Sequence, residues 1–266
     1  MRIKAWFTVA AVASSAVFPI GLGRAAPAPE NLGAAAELPK VPLERLSVFT
    51  EFENNASPQA LAKLLRRREE ITSSRAATGV TRYWAAAVCG YGVNRLFVST
   101  EFVNLGAMTQ AWQDLYAAPD MRQWDADARA AGLALKSRIL MGNINPEAGA
   151  IPGPAPDGRA PAPPHVMQFI EMDVGGKVEE YKKLLARSAA VLVKHGGGGL
   201  TRVWGMGWAG ERTNNLIVTR EFKNFKDMSH SIEQVDGTDD FRQNLADAKA
   251  AGFKRVSECV TTEVYP

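Results

Sequence analysis

The chain has 266 residues, 46% of them hydrophobic and 22% charged, a balance that supplies a sizeable core and excludes wholesale disorder, collagen-like sequence and a multi-span membrane protein. Its 31 basic and 28 acidic residues give a net charge of +3, and its 2 cysteines exclude a disulfide-rich scaffold and any four-cysteine zinc site.

Met1-Arg2-Ile3-Lys4 is a short basic start, followed by an apolar run from Ala5 to Gly23. Gly23 and Ala25 are small residues placed three and one positions before a cut after Ala25, the layout of a secretory signal peptide over residues 1–25. The alternative is a retained anchor, but Ser14, Ser15 and Pro19 interrupt a run already near the lower limit for spanning. The expectation is export to a periplasmic or extracellular space, with no stable membrane association after cleavage. Arg2, Lys4 and Arg24 lie in this segment and no acidic residue does, so 28 basic residues remain against 28 acidic ones. A zero balance gives no general electrostatic reason to expect nucleic acid or anionic lipid as a partner. Arg66-Arg67-Arg68 reads as a solvated helix face. Residues 26–44, rich in Ala and Pro, read as a loose leader.

The first module, residues 45–142, opens with a strand over Leu46 to Glu53, rich in β-branched and aromatic residues. Ser57-Pro58 then supplies a helix cap and a first-turn proline, and Leu61, Leu64 and Leu65 follow at helical spacing in a helix that Gly79 ends. Strands over Val80 to Cys89 and Asn94 to Phe102 flank Gly90-Tyr91-Gly92-Val93, a hairpin signal. Asn104 caps a helix reaching about residue 117, and Asp120 starts a second helix ending at Gly132. A last strand runs from Leu133 to Met141. Residues 143–164 carry seven prolines and read as an extended strap. The second module, residues 165–266, repeats the series: a strand over Val166 to Asp173, a helix carrying Val178, Tyr181, Leu184, Leu185 and Leu192, a hairpin, helices after Asn224 and Asp240, and a strand from Phe253 to Val264.

The two modules are related by an offset of 120. Gly79-Val80-Thr81-Arg82-Tyr83-Trp84 aligns with Gly199-Leu200-Thr201-Arg202-Val203-Trp204, and 22 of the 59 positions from 79 to 137 are identical, far beyond chance and a mark of duplication. The element order is that of a ferredoxin-like α+β module with helices on one sheet face. The other face must be buried as well, and a second copy in the same chain can bury it. The predicted fold is therefore two tandem ferredoxin-like modules whose antiparallel sheets pack face to face in a barrel-like core.

Gly176-Lys177-Val178-Glu179-Glu180-Tyr181, the run Gly205 to Gly210 with Asn214-Asn215, and Arg220-Glu221-Phe222-Lys223-Asn224-Phe225 leading into a helix carry a likeness to a known group. In these segments the chain resembles the dimeric α+β barrel superfamily, and its NIPSNAP-like branch most closely. Members usually build the barrel from two chains, so the resemblance implies a fused pseudo-dimer. It also implies kinship with cofactor-independent monooxygenases, isomerases and heme-dependent oxidases.

Strand alternation puts Arg82, Trp84, Ala86 and Val88 on one face and Thr81, Tyr83, Ala85 and Ala87 on the other. Leu96, Val98 and Phe102 are assigned to the helix side, which turns Arg95, Phe97, Ser99 and Glu101 the opposite way. A four-residue turn makes opposed positions sum to 183, setting Arg82 against Glu101 and Trp84 against Ser99, and likewise Arg202 against Glu221 and Trp204 against Thr219. Two readings stand. One is a pair of structural ion bridges inherited by duplication. The other is a ligand pocket lined by Arg202, Trp204, Met206, Trp208, Thr219 and Glu221, with Arg82, Trp84, Ser99 and Glu101 as the counterpart set. The second copy is favoured because Met206 and Trp208 replace Ala86 and Val88.

His165, His195 and His230 lack metal-ligand spacing, and His195 reads as a helix C-terminal cap. No metal is expected. No cofactor is expected either, heme being a minor alternative that only the resemblance suggests. Gly196 to Gly199 lacks the Lys-Ser/Thr of a phosphate loop. Cys89 and Cys259 are not equivalent under the offset, and either a disulfide or two buried thiols is open. No catalytic constellation follows from spacing. The functional expectation is an exported protein, monomer or homo-oligomer, that binds a small apolar or aromatic ligand in the barrel interior. The alternative is an enzyme of the dimeric α+β barrel type, in which an enclosed Arg–Glu pair orients a carboxylate substrate and supplies a base.

Overall fold

The computed structural model describes residues 46–73, 79–90, 92, 94–144, 165–208, 212 and 214–265. The signal-like segment, the leader and all but the first residues of the Pro-rich strap lie outside them. In chain order the elements are β1 (Leu46–Asn54), α1 (Pro58–Ser73), β2 (Val80–Cys89), β3 (Arg95–Phe102), α2 (Leu105–Ala117), α3 (Pro119–Ala130) and β4 (Leu133–Asn143). The series then repeats as β5 (Val166–Asp173), α4 (Val178–Lys194), β6 (Leu200–Trp208), β7 (Asn215–Phe222), α5 (Phe225–Val235), α6 (Asp239–Ala250) and β8 (Lys254–Val264).

The local chemistry that starts these helices matches the sequence. Ser57 Oγ accepts from the Ala60 amide at 3.2 Å, and Asn104 and Asn224 accept from Ala107 and Asp227, both at 2.9 Å. His195 is the C-cap of α4, as expected. Helix faces bury Leu64, Leu65, Trp124 and Ala128 against Phe52, Tyr83, Leu96 and Val98 in one half. In the other, Tyr181 and Leu184 pack on Val203, Leu216 and Val218. Each such aliphatic or aromatic side chain contributes about 1.5–3 kcal/mol by leaving water. Trp124 Nε1 also donates to the Leu64 carbonyl at 2.8 Å and ties α3 to α1.

The strands run in the order β4-β1-β3-β2 in the first half and β8-β5-β7-β6 in the second. Antiparallel seams β2·β8 and β4·β6 join the halves edge to edge, so the inner faces confront each other in one closed eight-stranded barrel. Closure leaves no sheet edge unpaired. At the first seam Cys89 stands directly opposite Cys259, and the two form a disulfide.

The expected hairpin registers are corrected. Arg82 faces Ser99 and Trp84 faces Phe97; Arg202 faces Thr219 and Trp204 faces Ile217. Opposed positions in the first hairpin thus sum to 181. The β2·β3 pairing ends at Ala85 with Leu96, short of the Cys89–Asn94 closure that a four-residue turn requires, while the other edge of β2 pairs with β8 from Tyr83 to Cys89, past an irregularity between Ala86 and Val88. The slip is two residues, so every side chain keeps its face. Gly79 and Gly199 hold matching tight approaches where the hairpins begin. A Cβ at Gly79 would sit 2.2 Å from the Glu101 carbonyl oxygen, and one at Gly199 2.5 Å from the Phe222 ring.

Candidate functional site

The barrel interior is built from all eight strands: Phe49, Trp84, Phe97, Ile139, Met141, Met167, Phe169, Trp204, Met206, Ile217 and Cys259 pack together there. Phe49, Phe97 and Phe169 form a triangle of near-parallel rings, with centroids 4.6 Å apart for Phe49–Phe169, 5.3 Å for Phe49–Phe97 and 6.0 Å for Phe97–Phe169. Polar side chains close one end of this interior and line the other.

The closed end lies where β1 and β2 begin. Glu221, with no exposed surface, accepts from Arg82 Nη1 at 2.8 Å and from Arg202 Nη2. Arg82 also grips Glu263 through Nε at 2.7 Å and Nη2 at 2.9 Å, while Arg202 Nη1 donates to Glu101 at 2.6 Å. His165 Nδ1 lies 3.1 Å from both Arg82 Nη2 and Glu263 Oε2, and Tyr265 donates to Glu263 at 2.6 Å. Burial alone would raise the Glu221 pKa, but the charges of Arg82 and Arg202 outweigh it and hold the carboxyl below its usual range. For Arg82 burial opposes the charge, and Glu263 and Glu221 more than restore it. The guanidinium carbons of Arg82 and Arg202 stand 4.4 and 5.0 Å from the ring centroids of Trp84 and Trp204. Those indoles donate to Ser99 at 3.2 Å and to Thr219 at 3.1 Å.

Nine of the ten residues singled out in the sequence therefore converge: Arg82, Trp84, Ser99, Glu101, Arg202, Trp204, Met206, Thr219 and Glu221. Their pairing differs from expectation, because Arg82 reaches across the β2·β8 seam to Glu263 and on to Glu221 instead of its own hairpin's Glu101. Trp208 pairs through its backbone with Leu140, and its side chain lies outside the described residues. None of the other nine lines either of the two cavities below. His165, Glu263 and Tyr265 carry no motif and no offset partner of like chemistry, so sequence alone gave no signal for them.

The opposite end opens into a cavity of about 320 Å³, lined by Phe49, Phe97 and Phe169 below and by Glu51, Arg95, Lys136, Ser137 and Arg212 around it, with Ile139 in the wall. Glu51 and Glu171 occupy equivalent strand positions and both face inward. Glu171 is fully engaged: Arg212 donates to it through Nε at 2.8 Å and through Nη2, and Asn215 donates at 2.7 Å. Glu51 has Ser137 at 3.1 Å and only a distant Arg95 Nε at 3.5 Å. Lys136 pairs with Glu53 at 2.5 Å.

A smaller cavity of about 80 Å³ lies on the helix side of the first half, between the sheet and its helices. Thr100 lines it, beside Arg68, Trp112 and Arg138. The residue equivalent to Thr100 in the second half is Arg220, which donates to the Gly198 carbonyl at 3.0 Å and to Ser231 at 3.3 Å and lies over the Phe222 ring. Burial lowers its pKa.

Among the described residues no cluster of three His, Cys, Asp or Glu side chains could hold a metal. His195 Nε2 is 3.1 Å from Asp240 at the end of α4, His230 is exposed on α5, and His165 belongs to the closed end. No histidine lines either cavity, so these residues do not fit a heme site with a histidine ligand.

No family model and no curated protein matches the chain. Solved structures do match in fold. An anthrone oxidase-like protein is 14% identical with a TM-score of 0.53, over 84% of this chain and 92% of that one. A monooxygenase-like protein of Fusobacterium nucleatum is 12% identical with a TM-score of 0.51, over 84% and 94%. A chlorite dismutase-like protein is 9% identical with a TM-score of 0.51, over 83% and 95%. The fold is that of the dimeric α+β barrel proteins.

Proposed function

We propose that the protein is an exported, fused counterpart of a two-chain α+β barrel of the NIPSNAP-like kind, which binds one small aromatic or apolar molecule in the open end of its barrel. The observation that carries this reading is the Phe49–Phe97–Phe169 stack beneath a cavity of about 320 Å³ ringed by a few polar groups. That size is at the lower bound of ordinary ligand pockets, and such pockets are apolar with few convergent polar groups. The opening of about 80 Å³ falls well short. The signal-like start and the Cys89–Cys259 disulfide support export, because disulfides persist in oxidising compartments. The neutral balance beyond residue 25 supports a small-molecule ligand over nucleic acid or membrane.

Thermal unfolding with a panel of one- and two-ring aromatics and medium-chain fatty acids tests the reading. A ligand at 100 times its Kd adds about 2.7 kcal/mol, which raises the Tm of a protein of this size by about 5 °C. Ser137→Phe, which puts a ring into the opening, abolishes the shift while leaving the unliganded protein folded. A panel without a single shift refutes the proposal.

A second reading, to which the oxidase-like and monooxygenase-like neighbours point, is oxygenation of an aromatic substrate without a bound cofactor in the same open end. Substrate-dependent oxygen uptake that Ser137→Phe abolishes would establish it.

A further inference from the structure

We infer that the molecule bound in the open end carries a neutral carbonyl oxygen on an aromatic ring system and that Arg95 donates to that oxygen; this rests on the interior-binding reading above. The two halves place equivalent carboxylates, Glu51 and Glu171, at this end but compensate them differently. The Glu171 carboxylate is gripped by Arg212 and Asn215. Asn215 is the residue equivalent to Arg95, and its amide is used up on that carboxylate. Arg95 approaches Glu51 only through Nε at 3.5 Å, and its Nη1 is shielded from water with no acceptor. A donor left in that state is costly, and an acceptor oxygen seated against the guanidinium offsets the cost.

The charge of the oxygen follows from the surroundings. Arg95, Lys136 and Arg212 stand against Glu51, Glu53 and Glu171, three cations against three carboxylates, with Lys136 and Arg212 already committed to Glu53 and Glu171. A ligand carboxylate would bring a fourth negative charge into a half-enclosed space beside Glu51. A neutral carbonyl satisfies the same donor and adds no charge. The ring system follows from the floor: Phe49 and Phe169 lie 8° from parallel, so a planar ligand extends an existing stack.

Calorimetric titration of the full chain with 2-acetylnaphthalene, 2-naphthoate and 2-ethylnaphthalene isolates the oxygen and its charge at nearly constant shape. The expected order has the ketone at least about tenfold tighter than either of the others. Arg95→Met brings the ketone down to the hydrocarbon's affinity, leaves the hydrocarbon within about twofold, and retains the wild-type circular dichroism spectrum; Arg95→Lys, which keeps a donor, retains part of the ketone's advantage. A tightest fit for the naphthoate, or equal binding of all three, overturns the inference and leaves interior binding standing. Failure of all three to bind removes both.

Discussion

Replacing Glu221 with Gln removes the one negative charge that two buried arginines share, at almost unchanged side-chain size. Breaking a buried ion pair in this way costs about 3–5 kcal/mol. The lower part of that range applies, because Arg82 retains Glu263 and Arg202 retains Glu101. A protein of this size unfolds with an entropy of roughly 0.5 kcal/mol/K, so the Tm falls by about 6–8 °C. The control is Glu179→Gln in the exposed Lys182 pair on α4, worth at most about 0.5 kcal/mol and 1 °C. Acid titration supplies a second readout. The folded pKa of Glu221 lies below its ordinary value of 4.5, so its stabilisation is complete above about 4.5 and is lost as pH falls through the lower folded value. The Tm gap between wild type and Glu221→Gln therefore stays constant from neutrality to about pH 5 and closes in stronger acid. A gap below about 2 °C at pH 7, or one that widens in acid, would show that the closed end is not held by this charge.

Four further outcomes follow. Joint replacement of Cys89 and Cys259 by Ser opens a covalent loop of separation 170, for which the chain-entropy relation gives roughly 5 kcal/mol; coincident melts of wild type and variant would contradict this. Gly79→Ala forces a Cβ to within 2.2 Å of the Glu101 carbonyl oxygen and costs about 1–3 kcal/mol in denaturant unfolding. Gly198→Ala, with no atom within 4 Å of the new methyl and an ordinary backbone, stays within about 0.5 kcal/mol of wild type. Arg220→Ala removes the Arg220 donor while Ser231 and Gly198 keep their mutual bonds, costs about 0.5–1.5 kcal/mol, and opens a xenon-accessible void beside Phe222.

Element order and the division of the hairpin strands into an inward and a helix-facing side were legible in the sequence, because each rests on a period or a cap read within a few residues, whereas the face of Glu51 and Glu171 was not. Val80–Cys89 and Leu105–Ala117 end where spacing placed them, and Asn104 and Asn224 cap as expected. What sequence could not reveal depends on closure. The hairpin register missed by two because the pairing of β2 with β3 ends at Ala85 and Leu96, and β8, whose Cys259 lies 170 residues beyond Cys89, leaves no trace in a local pattern. The same closure sets Cys89 against Cys259. It also hands Arg82 to Glu263 and Glu221, so the expected Arg202–Glu221 pair forms while the expected Arg82–Glu101 pair gives way to a network between the halves.

Identity under the 120-residue offset drew attention to Arg82/Arg202, Trp84/Trp204 and Glu101/Glu221, and all six meet at the closed end. There a reason exists for both copies to be alike: the barrel brings two equivalent edges together, and like residues from each can compensate one another across the middle, as both arginines do on Glu221. At the open end the carboxylates match, Glu51 with Glu171, and so do the serines, Ser137 with Ser257, but the cations do not. Arg95 stands where the other half has Asn215, and Arg212 where it has Gly92. Equivalent residues that pair across the centre fill the closed end, whereas unequal ones leave a cavity of about 320 Å³ at the open one. In this chain repetition marks what holds the halves together, and departure from it marks where a small molecule can enter.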